Sequence, residues 1–234
     1  PVHDMQESVQ KEVKDKAKNF FTQALEMIKH PSTGFVEAVS DKDSKNGLIL
    51  MGIEAVLTGL YLYVLLQKIV SATMSGINSV FGTSRTAAQT PSLGGFFGYG
   101  IIIAIIVSLV IAALVMGLMK AMAEADINWF QSCQIAGMRS LGLSLGWILG
   151  ILGLFLGMYQ FAILIIVVGG VLGMIYMIVA MMSYPNTKKD MIAYVVLITI
   201  LVATFISYFV LKEFVLSSLI NNGGSTTNFL NNIL

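Results

Sequence analysis

Two long apolar runs, Leu141 to Met158 and Phe161 to Met182, follow one another almost without a break. As one helix, the stretch from Arg139 to Tyr184 would be about 70 Å long, more than twice the roughly 30 Å of a bilayer's hydrocarbon core. The chain must therefore double back. Gly157-Met158-Tyr159-Gln160 is the place for the turn, with Tyr159 suited to the headgroup layer. Three more runs share this character: Gly47 to Gln67, Ile101 to Met119 and Met191 to Leu211. Each is close to the ~20 residues a helix needs to cross. In lipid every backbone polar group has to be bonded within the protein, which leaves helices or barrel strands. These runs are too long for strands and do not alternate.

The expected fold is all-α: a polytopic membrane protein with a bundle of five transmembrane helices and an N-terminal cytoplasmic amphipathic helix. Residues 1–46 form the cytoplasmic segment, 47–215 the bundle and 216–234 an extracytoplasmic polar tail. Composition agrees. The chain is 56% hydrophobic and 12% charged, about half the charge of an average soluble domain. No basic face is available for nucleic acid. One cysteine, Cys133, and two histidines, His3 and His30, provide neither an intramolecular disulfide nor a typical zinc ligand set. No cofactor is implied. The first apolar run starts too late, and is too long, for a secretory signal peptide. The sequence begins at Pro1, which leaves room for a preceding module.

Asp4 to Lys29 reads as an amphipathic helix, with Val9, Val13, Ala17, Phe20, Ala24 and Ile28 on one stripe, widened by Phe21 and Leu25. Glu12 and Lys16 form an i,i+4 pair on the other face. Such a helix lies on the inner membrane surface, packs on the protein's own loops, or fits a partner's groove. Pro31 ends it. A second short helix is expected over Ser32 to Ser40, capped by Ser32, and Asp41 to Lys45 is a charged hinge.

Orientation follows from Lys and Arg. With the N-terminus inside, Lys11, Lys14, Lys16, Lys18, Lys29, Lys42, Lys45, Lys120, Arg139, Lys188 and Lys189 lie in inner segments; Lys68, Arg85 and Lys212 lie outside. Five spans then place the C-terminus outside the cell membrane, with the loop from Ser71 to Gly95. Glu124 and Asp126, in the second inner segment, read as a solvated loop face.

Inside the spans, Glu54 is the one acidic residue. An ionisable group there costs ~2.5–3.5 kcal/mol and is usually paired or faces a cavity. It reads as an ion or proton site, or as a neutral acid bonded to a neighbouring helix; no charged partner accompanies it in the runs. The third run carries Gly142, Gly146, Gly150, Gly153 and Gly157, spaced four, four, three and four. This is a small-residue seam that lets two helix backbones approach. Gly169, Gly170 and Gly173 on the fourth run are its expected partners across the turn. Trp147 flanks the seam. No nucleophile elbow, metalloprotease motif or phosphate loop occurs.

With five spans, an inner amphipathic segment, His30-Pro31-Ser32-Thr33-Gly34-Phe35 leading towards the first span, and an outer C-terminus, the chain resembles the Yip family of Ypt/Rab-interacting membrane proteins, in its bacterial form. Phe97-Gly98-Tyr99-Gly100 is a partial echo of the family's Tyr-Gly element. The eukaryotic Asp-Leu-Tyr-Gly stretch is not intact, which argues against GTPase binding. The resemblance implies a non-enzymatic protein that organises membranes or scaffolds protein partners, including copies of itself. The competing expectation is a transporter, channel or permease subunit that uses Glu54.

Overall fold

The structure is a computed structural model and describes residues 2–81 and 94–222. These residues fold into helices joined by short connections: α1 (Val2–Lys29), α2 (Pro31–Ser40), α3 (Asn46–Phe81), α4 (Gly94–Ala121), α5 (Trp129–Phe155), α6 (Tyr159–Ser183) and α7 (Lys189–Asn222). Five are long and apolar enough to cross a membrane: α3 over Asn46–Ile69, α4, α5, α6, and α7 over Lys189–Val210. This is the architecture of a multi-pass membrane protein. The helices alternate in direction. The pairs Gly59–Gly100 and Glu54–Ser108 place α4 antiparallel to α3, Gly142–Gly173 and Gly146–Gly169 place α6 antiparallel to α5, and Gly47–Gly137 with Tyr61–Trp147 show that α3 and α5 run parallel.

Helix ends differ from the sequence expectation in two instructive ways. The third span begins at Trp129, not Leu141. Its first turns, including Gln131, Ser132 and Gln134, read as a loop because they are polar, yet Gln131 to Met138 are all buried. Protein groups meet the side chains of Gln131 and Ser132, while the Gln134 amide is buried with no partner among the described residues. Asn128 caps α5 in a reciprocal box with Gln131, and its amide donates to the Lys42 carbonyl at 3.0 Å. The Gln131 amide donates to the Val39 carbonyl at 3.2 Å. The Tyr184 hydroxyl lies 2.5 Å from the Asp126 carbonyl and 3.1 Å from Gln131 Oε1. Secondly, α3 continues as helix to Phe81 and α7 to Asn222. Part of the expected outer loop, and residues 216–222 of the expected tail, are thus helical; residues 82–93 and 223–234 lie outside the described residues.

The front end packs on the bundle. Phe20, Ala24 and Met27 of α1 and Phe35 and Val39 of α2 are buried in the main core. Phe35 meets Tyr176 of α6 edge-on, with ring centroids 5.1 Å apart. Phe21, Leu25 and Val36 stay exposed. Val9 and Val13 belong to α1, but their side chains lie outside the described residues. The short second helix starts one residue earlier than expected. Pro31 occupies its first turn and His30 is the cap residue, because proline's fixed φ suits a first helical position. Ser32 is therefore inside the helix.

The turn between α5 and α6 falls at residues 156–158. Gly157 has φ +75°; its N–H meets the Leu154 carbonyl at 3.2 Å, and Met158 N–H meets the Gly153 carbonyl at 2.8 Å. These are the two bonds of a Schellman cap.

Candidate functional site

The site is assembled by close helix crossings. On α3, Gly47, Glu54 and Tyr61 repeat every seven residues, the period that keeps one face towards a neighbouring helix. Their counterparts on α5 are Gly137, Ser140 and Trp147. A Cβ on Gly137 would lie 2.6 Å from the Gly47 Cα, so the two backbones touch. Tyr61 and Trp147 close the other end, with ring centroids 4.9 Å apart. A second crossing brings in α4: a Cβ on Gly100 would lie 2.8 Å from the Gly59 Cα.

Between these contacts sits Glu54, 5% exposed. Arg139 Nη2 donates to both of its carboxylate oxygens, at 3.0 and 3.2 Å. Ser140 donates to Oε2 at 2.5 Å and Ser108 of α4 lies 3.2 Å from the same oxygen. Arg139 Nη2 also lies 2.9 Å from the Ser108 hydroxyl. The expectation of a Glu54 without a charged neighbour is corrected: its partner is Arg139. Because α5 begins at Trp129, Arg139 lies within the helix, ten residues or about 15 Å along it from that end. A salt bridge this buried is held by good geometry and additional hydrogen bonds, since desolvating both charges opposes it.

The glycine seam lies on the other side of α5. A Cβ on Gly142 would run into the Gly173 backbone, and one on Gly146 would lie 2.9 Å from the Gly169 Cα. Gly150 and Gly153 face Ile166 and Phe161 at 3.1 Å. Gly170 is peripheral, 3.8 Å from Leu143 by the same measure. Gly157 is not in the seam. A Cβ there would meet nothing within 4 Å; its place is the turn.

Glu124 and Asp126 lie exposed in the connection between α4 and α5, as a solvated loop face, and Glu124 pairs there with Lys188. Among the described residues, no group of three or more His, Cys, Asp or Glu is placed to hold a metal ion. Cys133 is buried. Sequence reading missed Arg139, Ser108, Ser140 and the Gly47 and Gly59 crossings. The seven-residue step from Gly47 through Glu54 to Tyr61 was the available signal.

A family model described as "Domain of unknown function (DUF6574)" matches residues 10–222. The chain belongs to the DUF6574 family. No curated protein matches it, and no solved structure does. In this DUF6574 chain the matched region takes in the five spans, the Glu54–Arg139 pair and most of the front end.

Proposed function

We propose that the protein is a non-enzymatic integral membrane component that organises the membrane or scaffolds protein partners, with the intramembrane ion pair acting as a lock between helices. The observation that carries this reading is the saturation of Glu54. Its carboxylate is engaged by Arg139, Ser108 and Ser140, drawn from two neighbouring helices, and is consumed in joining α3, α4 and α5. The resemblance to the Yip family supports the same role. The Lys and Arg distribution supports a cell-membrane topology with the N-terminus in the cytoplasm and the C-terminus outside.

A second reading, a transporter or channel subunit, is favoured by a crevice that reaches Arg139. The double variant Glu54→Gln/Arg139→Gln separates the two. It removes both charges together, so that neither is left buried and unpaired. For a scaffold, the folded double variant keeps its native partners in pull-down and complements a deletion strain. A folded double variant that retains its partners but fails to complement would replace the scaffold reading with transport.

A further inference from the structure

The guanidinium of Arg139 is only partly used. All three of its hydrogen bonds leave from Nη2. Nε is buried with no partner and is closed to a ligand as well; the side chain keeps 12% of its surface exposed, and the donors that remain for a ligand are those of Nη1. Arginine carries five N–H donors, and a donor left unmet in a low-dielectric interior is costly. Against Arg139 lies a crevice of about 230 Å³ between α4, α6 and α7, walled by residues such as Ile111, Met177 and Ala203, with Thr199 and Ser207 on its α7 side.

We propose that this crevice binds a neutral amphiphile: an apolar chain whose head is a carbonyl or ester oxygen that accepts a hydrogen bond from Arg139. Charge decides the head group. Glu54 already balances the guanidinium, so what Arg139 lacks is an acceptor and not a counter-ion. A bound carboxylate or phosphate would set two negative charges against one positive, and like charges at close range disfavour each other's ionised form. Thr199 spends its proton on the Val195 carbonyl at 2.7 Å; the hydroxyls of Thr204 and Ser207 also line the crevice, and Arg139 is the charged donor among its lining residues.

The walls decide the tail. They are mostly apolar, with Arg139 and the hydroxyls of Thr199, Thr204 and Ser207 as the polar exceptions. A cavity of ~150 Å³ already admits benzene, so this one has room for the end of a longer chain. Depth decides the source. Arg139 is about 15 Å into α5, and Ser207 about 27 Å into α7 from its Lys189 end. The crevice thus lies at the level of the hydrocarbon, and its ligand arrives from the bilayer.

The test is equilibrium binding of radiolabelled methyl laurate to the purified full chain in neutral detergent, with laurate and dodecane as competitors of equal chain length. The expected result is saturable binding of about one ester per chain, with both competitors weaker by about tenfold or more, the equivalent of one lost hydrogen bond. Ala203→Phe places a ring in the crevice and abolishes the saturable component while thermal unfolding without ester is unchanged. Ala203→Leu serves if the phenylalanine variant does not fold. In wild-type protein, the stretch of a ¹³C-labelled ester carbonyl shifts to lower frequency on binding. Laurate binding as well as the ester would make this an anion site, and dodecane doing so would make it a mere apolar void. Either result overturns the proposal, as does saturable binding that survives both Ala203 variants, or an ester that never saturates.

Discussion

Gly137 rests on Gly47 so closely that a Cβ on the first would come within 2.6 Å of the second's Cα, and Glu54 lies one heptad further along the same face of α3. The contact sets how near α3 and α5 approach, and therefore whether Ser140 and Arg139 reach the carboxylate. Gly137→Ala is expected to lower stability by about 1–3 kcal/mol through overpacking. Gly52→Ala, where an added Cβ meets nothing within 4 Å, is expected to be neutral or slightly stabilising. Thermal unfolding of the two variants in detergent provides the check.

Removing one member of the ion pair should cost more than removing both. Glu54→Gln leaves the Arg139 guanidinium buried without its counter-charge, a loss of about 3–5 kcal/mol; adding Arg139→Gln should recover most of it. Denaturation of the single and double variants gives the coupling directly. Additive losses would mean that the two side chains do not interact in the membrane.

The seam makes a positional prediction. Gly146→Leu drives a side chain into the Gly169 backbone and should lose about 1–3 kcal/mol. Gly170→Ala sits in ordinary contact range and should be tolerated. Gly157→Ala should lose about 1–2 kcal/mol for a different reason, the left-handed backbone at φ +75°. Melting temperatures would separate the three.

Tyr184 predicts a pH dependence. Burial first, then the negative Asp126 nearby, hold its hydroxyl above the ordinary value of 10.0, against the lowering effect of its hydrogen-bonded neighbour Gln131. A raised folded value means that the fold favours the neutral phenol. That contribution is whole below pH 10 and is lost as the pH climbs through the folded value. Wild-type protein should therefore lose stability in this alkaline window, and Tyr184→Phe should flatten the loss while starting about 0.5–1.5 kcal/mol lower from its missing hydrogen bond.

Topology is tested by labelling single cysteines in a Cys133→Ser background. Met158→Cys, in the α5/α6 turn, should react with an impermeant maleimide added outside intact cells. Asn186→Cys, between α6 and α7, should react only after lysis. The reverse pattern would invert the orientation drawn from the Lys and Arg distribution.

The apolar runs were legible because hydropathy and length state the lipid constraint directly. Arg139 was not, because the turns before it carry Gln131, Ser132 and Gln134, which resemble loop residues until Gln131 is seen to bond Val39 and Tyr184 and Gln134 to lie against Gly47. Hydropathy measures a residue's affinity for lipid and cannot register polar groups buried against protein. Gly142, Gly146 and their neighbours announced themselves by spacing. Gly47 and Gly59 are isolated in the sequence, and only the partner helix reveals their role. Gly157 shared the spacing of the seam but belongs to the turn, a distinction made by its backbone conformation.

The ion pair also has a consequence for biogenesis. Glu54 and Arg139 are 85 residues apart, so a chain made from its N-terminus delivers the carboxyl group to the bilayer well before the guanidinium exists. The α3–α4 hairpin is then an unfinished half, with Ser108 as the polar neighbour already in place. Emergence of α5 supplies the missing charge and the Gly137 contact together, so the contacts of Glu54 are complete only once the third span has arrived.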